Sequence, residues 1–114
     1  MRVDSSGRLM LGTTTEGRSS GDDLTVATSG DTGITIRSGT SSYGNLYFSD
    51  GTSGADEYRG SVSYNHSSNF LTLGTNASER MRIDSSGMVD VKSGDLRVTA
   101  VSYTHLTLPT NREV

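Results

Sequence analysis

The chain contains no cysteine, which excludes disulfide staples and cysteine-based zinc sites and leaves stability to strand pairing and side-chain packing. It has no apolar run approaching the roughly 18 residues of a membrane-spanning helix, and its N-terminus lacks the basic-then-apolar order of a signal peptide. No membrane or secretory targeting is expected. Lysine and arginine do not cluster, and the formal charge is -3, so nucleic acid is not an expected partner, because phosphate binding needs concentrated positive charge. Apolar residues are also scarce, at 31%, while glycine, serine and threonine crowd every segment. Few side chains are therefore available to fill a core. A chain of 114 residues has room for one small core, and neighbouring chains are expected to help build it. The modest net charge and regularly spaced aliphatic pairs argue for order rather than disorder.

Helical periodicity is missing as well. No glycine-free window places apolar residues at i, i+3, i+4 and i+7, whereas β-branched alternation recurs along the chain. Leu24 and Val26, Ile34 and Ile36, Val62 and Tyr64, Leu71 and Leu73, and Leu96 and Val98 each bracket one intervening residue. Each pair reads as the apolar face of a short strand. Turn clusters fall at residues 14–22, 29–33, 39–42, 50–56 and 65–69. The expected fold class is all-β, with about ten short antiparallel strands in hairpins, a meander or a β-prism.

The strongest signal is an internal repeat. Met1-Arg2-Val3-Asp4-Ser5-Ser6-Gly7 returns as Met81-Arg82-Ile83-Asp84-Ser85-Ser86-Gly87, with only the Val/Ile exchange between the copies. In each copy a short strand would place Val3 or Ile83 inward, and Asp-Ser-Ser-Gly would reverse the chain. Gly7 and Gly87 would take the positive-φ position of a type I turn with a bulge. Leu9 and Leu11, then Val89 and Val91, supply the return strands. Hairpins are thus expected at residues 1–13 and 81–92, within one β-rich segment covering residues 1–100.

Glu79-Arg80-Met81-Arg82-Ile83-Asp84-Ser85-Ser86-Gly87 resembles a signature of tail-fibre and receptor-binding proteins of tailed bacteriophages, marine ones especially. In that family a short aliphatic strand and Gly-Thr commonly follow, which Met10-Leu11-Gly12-Thr13 matches; the second copy departs, reading Val91-Lys92-Ser93-Gly94. Residues 44–51, 64–66 and 71–76 are similar to the region between two such signatures. The resemblance covers residues 1–94 and implies a homotrimeric fibre or prism, in which three chains share one apolar core. It further implies a virion protein made in the host cytoplasm, with other tail-fibre or baseplate proteins as neighbours. The self-cleaving chaperone domain that often ends similar proteins has no matching residues here, so no catalytic residue carries over.

Residues 101–114 read differently. Val101-Ser102-Tyr103-Thr104-His105-Leu106-Thr107-Leu108-Pro109-Thr110 resembles the translation of a transposase-type sequencing adapter, which makes the chain a metagenomic open reading frame whose native part ends near Ala100. Tyr103, Leu106 and Leu108 alternate well enough to pass for an edge strand, and Pro109 would end it.

No catalytic, cofactor-binding or metal site is expected. His66 sits in a hairpin loop without a second native histidine, so an exposed loop residue is the simpler reading. Residues 50–57 hold oxygen ligands and glycines but lack the alternating acids and distal glutamate of an EF-hand loop, which favours a solvated turn. Tyr43, Tyr47, Tyr58 and Tyr64 would make a glycan-stacking surface if they shared an exposed face; cross-strand pairing is the commoner use of such residues. Asn65-His66-Ser67 and Asn76-Ala77-Ser78 fit a glycosylation pattern that is uninformative for a bacterially made protein. Arg2, Asp4, Arg82 and Asp84 read as surface ion pairs. Three functions compete: a structural fibre segment, a module contacting a bacterial surface glycan, and a depolymerase. The last would need paired carboxylates in a groove, whereas Asp50, Asp56 and Glu57 share one turn. A non-enzymatic fibre segment is expected, with the glycan-binding module as alternative.

Overall fold

The computed structural model describes residues 1–92 and 94–99, and the adapter-like tail lies outside them. The fold is all-β, with eight strands and one short 3-10 helix among the described residues. The chain divides into two compact units, one comprising Met1–Arg37 and the other beginning at Ser38. The division falls inside the stretch read above as one segment, and each unit is taken by itself.

The first unit is a three-stranded sheet of β1 (Arg2–Val3), β2 (Leu9–Leu11) and β3 (Leu24–Val26), in that order. Asp-Ser-Ser-Gly makes the turn between β1 and β2. Gly7 N donates to Asp4 O at 3.0 Å, Asp4 N donates to Arg8 O at 3.0 Å, and Gly7 has φ +82°. That is a type I turn closed by a glycine bulge. β3 departs from the antiparallel expectation, because it runs parallel to β2, pairing Leu9 with Leu24 and Leu11 with Val26. A parallel neighbour requires a crossover of a dozen or so residues, which residues 12–23 supply. Arg8 holds that crossover in place, reaching Asp4 at 2.7 Å, Asp22 at 3.1 Å and Glu16 at 3.4 Å. Met10 is the one buried hydrophobic side chain among the described residues.

The second unit is a five-stranded antiparallel meander, β4 (Tyr43–Phe48), β5 (Gly60–Asn65), β6 (Phe70–Thr75), β7 (Ser78–Ile83) and β8 (Val89–Val91), with strands adjacent in sequence order. A 3-10 helix, Gly54–Tyr58, carries the chain from β4 to β5. The second Asp-Ser-Ser-Gly turn joins β7 to β8, with Gly87 at φ +89°. Between β6 and β7 the turn residues Asn76 and Ala77 both have positive φ, 52° and 62°, as a two-residue type I′ hairpin requires. Alanine is a poor choice at such a position. Ala77→Gly is expected to raise stability by about 0.5 to 1 kcal/mol, the relief of left-handed strain exceeding the added freedom of the unfolded chain. Chemical denaturation measures this, and a lower midpoint would refute the strain assigned to Ala77.

Cross-strand partners point to the same side of a sheet, so the register defines two faces. Leu46, Val62, Leu73, Met81 and Val91 form one row, and Gly44, Tyr64, Leu71, Ile83 and Val89 form a second row on the same face. The sequence pairs Val62/Tyr64 and Leu71/Leu73 therefore do share an apolar face. No described element packs on that face: Leu46 is 51% exposed, Leu73 39% and Val89 55%, while Val62, Leu71, Met81, Ile83 and Val91 are half-buried among their neighbours. The opposite face carries the row Asn45, Ser63, Thr72, Arg82 and Asp90. Its small central residues Ser63 and Thr72 are the buried ones. Longer neighbours shield that side, the Arg82 guanidinium lying 3.8 Å from the Phe70 ring centre.

Two expected strands do not form. Ile34 and Ile36, and likewise Leu96 and Val98, lie in segments without regular secondary structure, and all four are more than half exposed. Alternation makes a strand only where a neighbour offers a ladder and a surface to pack on. No described strand does so for these segments.

Candidate functional site

The two repeat turns are the most regular polar constellation of the chain. In the first, Asp4 Oδ1 accepts the backbone N–H of Ser6 at 2.9 Å and of Arg8 at 3.0 Å, and Asp4 Oδ2 accepts Arg8 Nε at 2.7 Å. In the second, Asp84 Oδ1 accepts Ser86 N at 3.0 Å, Met88 N at 3.0 Å and the Ser86 hydroxyl at 2.8 Å. In both turns these bonds come from donors within four residues of the aspartate. Of the residues expected to make surface ion pairs, Asp4 pairs with Arg8 and Arg82 with Glu79 at 2.8 Å, whereas Asp84 caps its own turn. A carboxylate is a better acceptor than a carboxylic acid for several converging N–H groups, and this sets where each group titrates.

Asp4 is held below the ordinary aspartate range, first by the Arg8 backbone N–H and then by its guanidinium. Asp84 is lowered first by the Ser86 hydroxyl and then by the Met88 N–H. Glu79 is lowered chiefly by Arg82. A depressed folded-state pKa means that the contribution is complete above the ordinary aspartate value of 3.8 and is lost as pH falls through the lower folded value. Both hairpin turns are expected to hold at neutral pH and to loosen on acidification below the ordinary carboxylate range. Amide exchange at Gly7 and Gly87, followed down a pH series and corrected for intrinsic rates, measures it. Unchanged protection well below that range would contradict the assignment.

The remaining sequence candidates are dispersed. His66 donates its backbone N–H to Ser42 O at 2.9 Å, and its ring lies 4.9 Å from that of Tyr64. The 50–57 turn is closed on itself: Ser49 Oγ donates to Gly51 O at 2.7 Å and Asp50 N to Asp56 O at 2.9 Å. Arg59 meets Asp56 at 2.7 Å and Asp50 at 3.8 Å. Cation-binding oxygens there already face a guanidinium. Among the described residues, no group of three or more His, Cys, Asp or Glu side chains could hold a metal ion. An open groove of the first unit is lined by Met1, Arg2, Met10, Gly12, Thr13 and Thr14, which offer no nucleophile with a base beside it. No described helix is long and apolar enough to cross a membrane.

The tyrosines divide between the faces. Tyr43 and Tyr47 alternate with Leu46 and stand on the polar face, both about half exposed. Tyr58 of the 3-10 helix adds its ring 6.4 Å from that of Tyr47. Tyr64 stands on the apolar face and donates its hydroxyl to Asn69 Oδ1 at 3.1 Å. Three of the four tyrosines are thus on or beside β4, and the fourth is on the other side of the sheet. Two features of the surface escaped the sequence reading: the Arg8 cluster and the continuity of the apolar face. The acids at positions 16, 22 and 23 after an arginine hint at the first, whereas the second needs the register.

No known protein family, curated protein or solved structure matches the chain.

Proposed function

We propose that the chain is a non-catalytic structural segment of a tailed-phage tail fibre, assembled into the virion as a homotrimer that supports attachment to the host. One observation carries this reading, the apolar face of the five-stranded sheet, on which no described element packs. At 4.8 Å between strands and 3.3 Å per residue the face measures about 24 by 20 Å, close to 500 Å² in projection. That is at the upper end of what a soluble monomer exposes, about 300 to 600 Å², and patches of this size are often functional. The repeated hairpin and the scarcity of core-forming residues fit a partner of the same chain, since three copies turning this face inward would create the core that one copy lacks. Sedimentation equilibrium is expected to return three times the chain mass. A stable monomer that unfolds cooperatively would refute the proposal.

The grouping of Tyr43, Tyr47 and Tyr58 supports a second reading, in which the polar face contacts a bacterial surface glycan. Exposed rings flanked by Asn45 and Ser61 offer the apolar body and polar tips that sugar rings stack on. Binding on a glycan array that is lost in Tyr47→Ala would favour this reading, and an array without signal would remove it.

A further inference from the structure

The side-chain carbonyl carbon of an aspartate or asparagine can be attacked by the backbone nitrogen of the residue that follows it. A cyclic succinimide forms, and water reopens it either to the ordinary aspartate or to isoaspartate, in which the main chain runs through the side-chain carbons. The attack needs a small following residue, a nitrogen not engaged elsewhere and a side chain free to turn toward it. Glycine meets the first condition best, because it has no Cβ to obstruct the approach.

Four dipeptides of the chain place glycine, alanine or serine after an aspartate or asparagine: Asp4-Ser5, Asp50-Gly51, Asn76-Ala77 and Asp84-Ser85. The fold restrains three of them. Asp4 Oδ1 is held by the N–H groups of Ser6 and Arg8, and Asp84 Oδ1 by those of Ser86 and Met88. At Asn76-Ala77 the attacking nitrogen is engaged, since Ala77 N donates to Arg59 O at 3.0 Å, and Asn76 Oδ1 accepts Arg59 Nη1 at 3.1 Å. Asp50-Gly51 has neither restraint. The Asp50 side chain is 69% exposed, and its ion-pair partner Arg59 stands 3.8 Å away. Gly51 N–H meets no acceptor among the described residues. Packing also demands the glycine, because a Cβ at this position would lie 2.7 Å from Asp56 Cβ and 2.9 Å from Asp56 Oδ2. The turn thus requires the residue that leaves Asp50 open to attack.

We propose that Asp50 is a site of spontaneous isoaspartate formation. Gly51 N bonds to Asp50 Cγ, and the hydroxyl of the protonated carboxyl leaves with the Gly51 amide proton as water. Water then adds at the Asp50 main-chain carbonyl and breaks its bond to that nitrogen, which regains a proton. The chain now runs through Cβ and Cγ, and the carboxylate sits on the main-chain carbon. The added methylene falls inside the loop closed by Ser49 Oγ to Gly51 O at 2.7 Å and Asp50 N to Asp56 O at 2.9 Å. That closure is expected to loosen, and the Tyr58 ring to leave its place beside Tyr47. The inference concerns the connection between β4 and β5 and is independent of the trimer and of glycan binding.

The test incubates the full chain, folded and denatured, at neutral pH in heavy-oxygen water. Digestion and peptide mapping then locate the label, and isoaspartate is counted by enzymatic methyl transfer from S-adenosylmethionine. In the folded chain, label and isoaspartate are expected to accumulate at residue 50 ahead of residues 4, 76 and 84. Asp50→Glu keeps a carboxylate for Arg59 but would have to close a larger ring, and it should lose the signal at that position. A folded chain that stays unlabelled at residue 50 while the denatured chain takes up label there overturns the proposal, because the turn would then protect the dipeptide. Equal or faster labelling at residue 4, 76 or 84 of the folded chain also overturns it, since the fold would not be selecting Asp50.

Discussion

If the unaltered protein assembles as the proposed trimer, replacing Leu73 with lysine is expected to leave the chain monomeric at the same concentration. Leu73 lies in the middle strand of the apolar face, between Val62 and Met81 in its row. In one copy it is 39% exposed, so a lysine there extends into solvent and the isolated sheet tolerates it. In the trimer the same ammonium would be closed into an apolar contact without a counter-ion, at a cost of several kcal/mol per ion and three times over in one assembly. Asn45→Lys, on the polar face of β4, supplies the control and should leave assembly intact. Sedimentation of both variants decides the matter. A trimeric Leu73→Lys protein would show that the apolar face is not the contact surface.

Gly12→Ala should have the largest effect on the first unit. Gly12 has φ +81°, and a Cβ built there would overlap the carbonyl oxygen of Ala27. The left-handed backbone alone costs an alanine about 1 to 2 kcal/mol. The overlap adds to this, because it is with backbone and not with the movable end of a side chain. Relief requires β3 to move off β2, breaking the Ala27 N–Leu11 O bond and its neighbours at about 1 kcal/mol each. A unit with a single buried hydrophobic side chain has little stability to lose. Amide exchange at Leu9 and Ala27 is expected to become fast while β5 and β6 keep their protection. Unchanged exchange at Ala27 would mean that the strands adapt without parting.

What could be read from residues alone divides along the range of the interactions involved. The Asp-Ser-Ser-Gly turns were legible because every bond that makes them lies within four residues: aspartate to serine and to the residue after glycine, and glycine at positive φ. The Val62/Tyr64 and Leu71/Leu73 strands were legible for a similar reason, since sequential hairpins join them. The parallel β2–β3 pair was not, because Leu24–Thr25–Val26 alternates equally well in either direction and only the crossover pinned by Arg8 decides it. Ile34 and Ile36 carry the same alternation as Leu24 and Val26 and form no strand. The difference lies in whether a ladder partner is present, which local pattern does not encode. Burial was the least legible feature. Leucine at 71 and 73 around Thr72 would place threonine outside, yet Thr72 is the buried residue, because Arg82 and its neighbours shield the polar face while nothing described covers the apolar one. Among the site candidates, the tyrosines were identifiable as residues, but their division between opposite faces followed from register.

The sequential order of β4 to β8 has a kinetic consequence. Each strand of that sheet pairs with the one before it, and every connection but the 3-10 segment between β4 and β5 is a short turn, so the sheet can form hairpin by hairpin with little loop closure, whereas any contact between apolar faces must wait for separate molecules to meet. Refolding from denaturant should accordingly resolve into a fast step whose rate is independent of protein concentration and a slower one that scales with it. During the interval each molecule would display its completed apolar sheet to solvent. Yield at high concentration would then be decided by competition between ordered association and indiscriminate sticking.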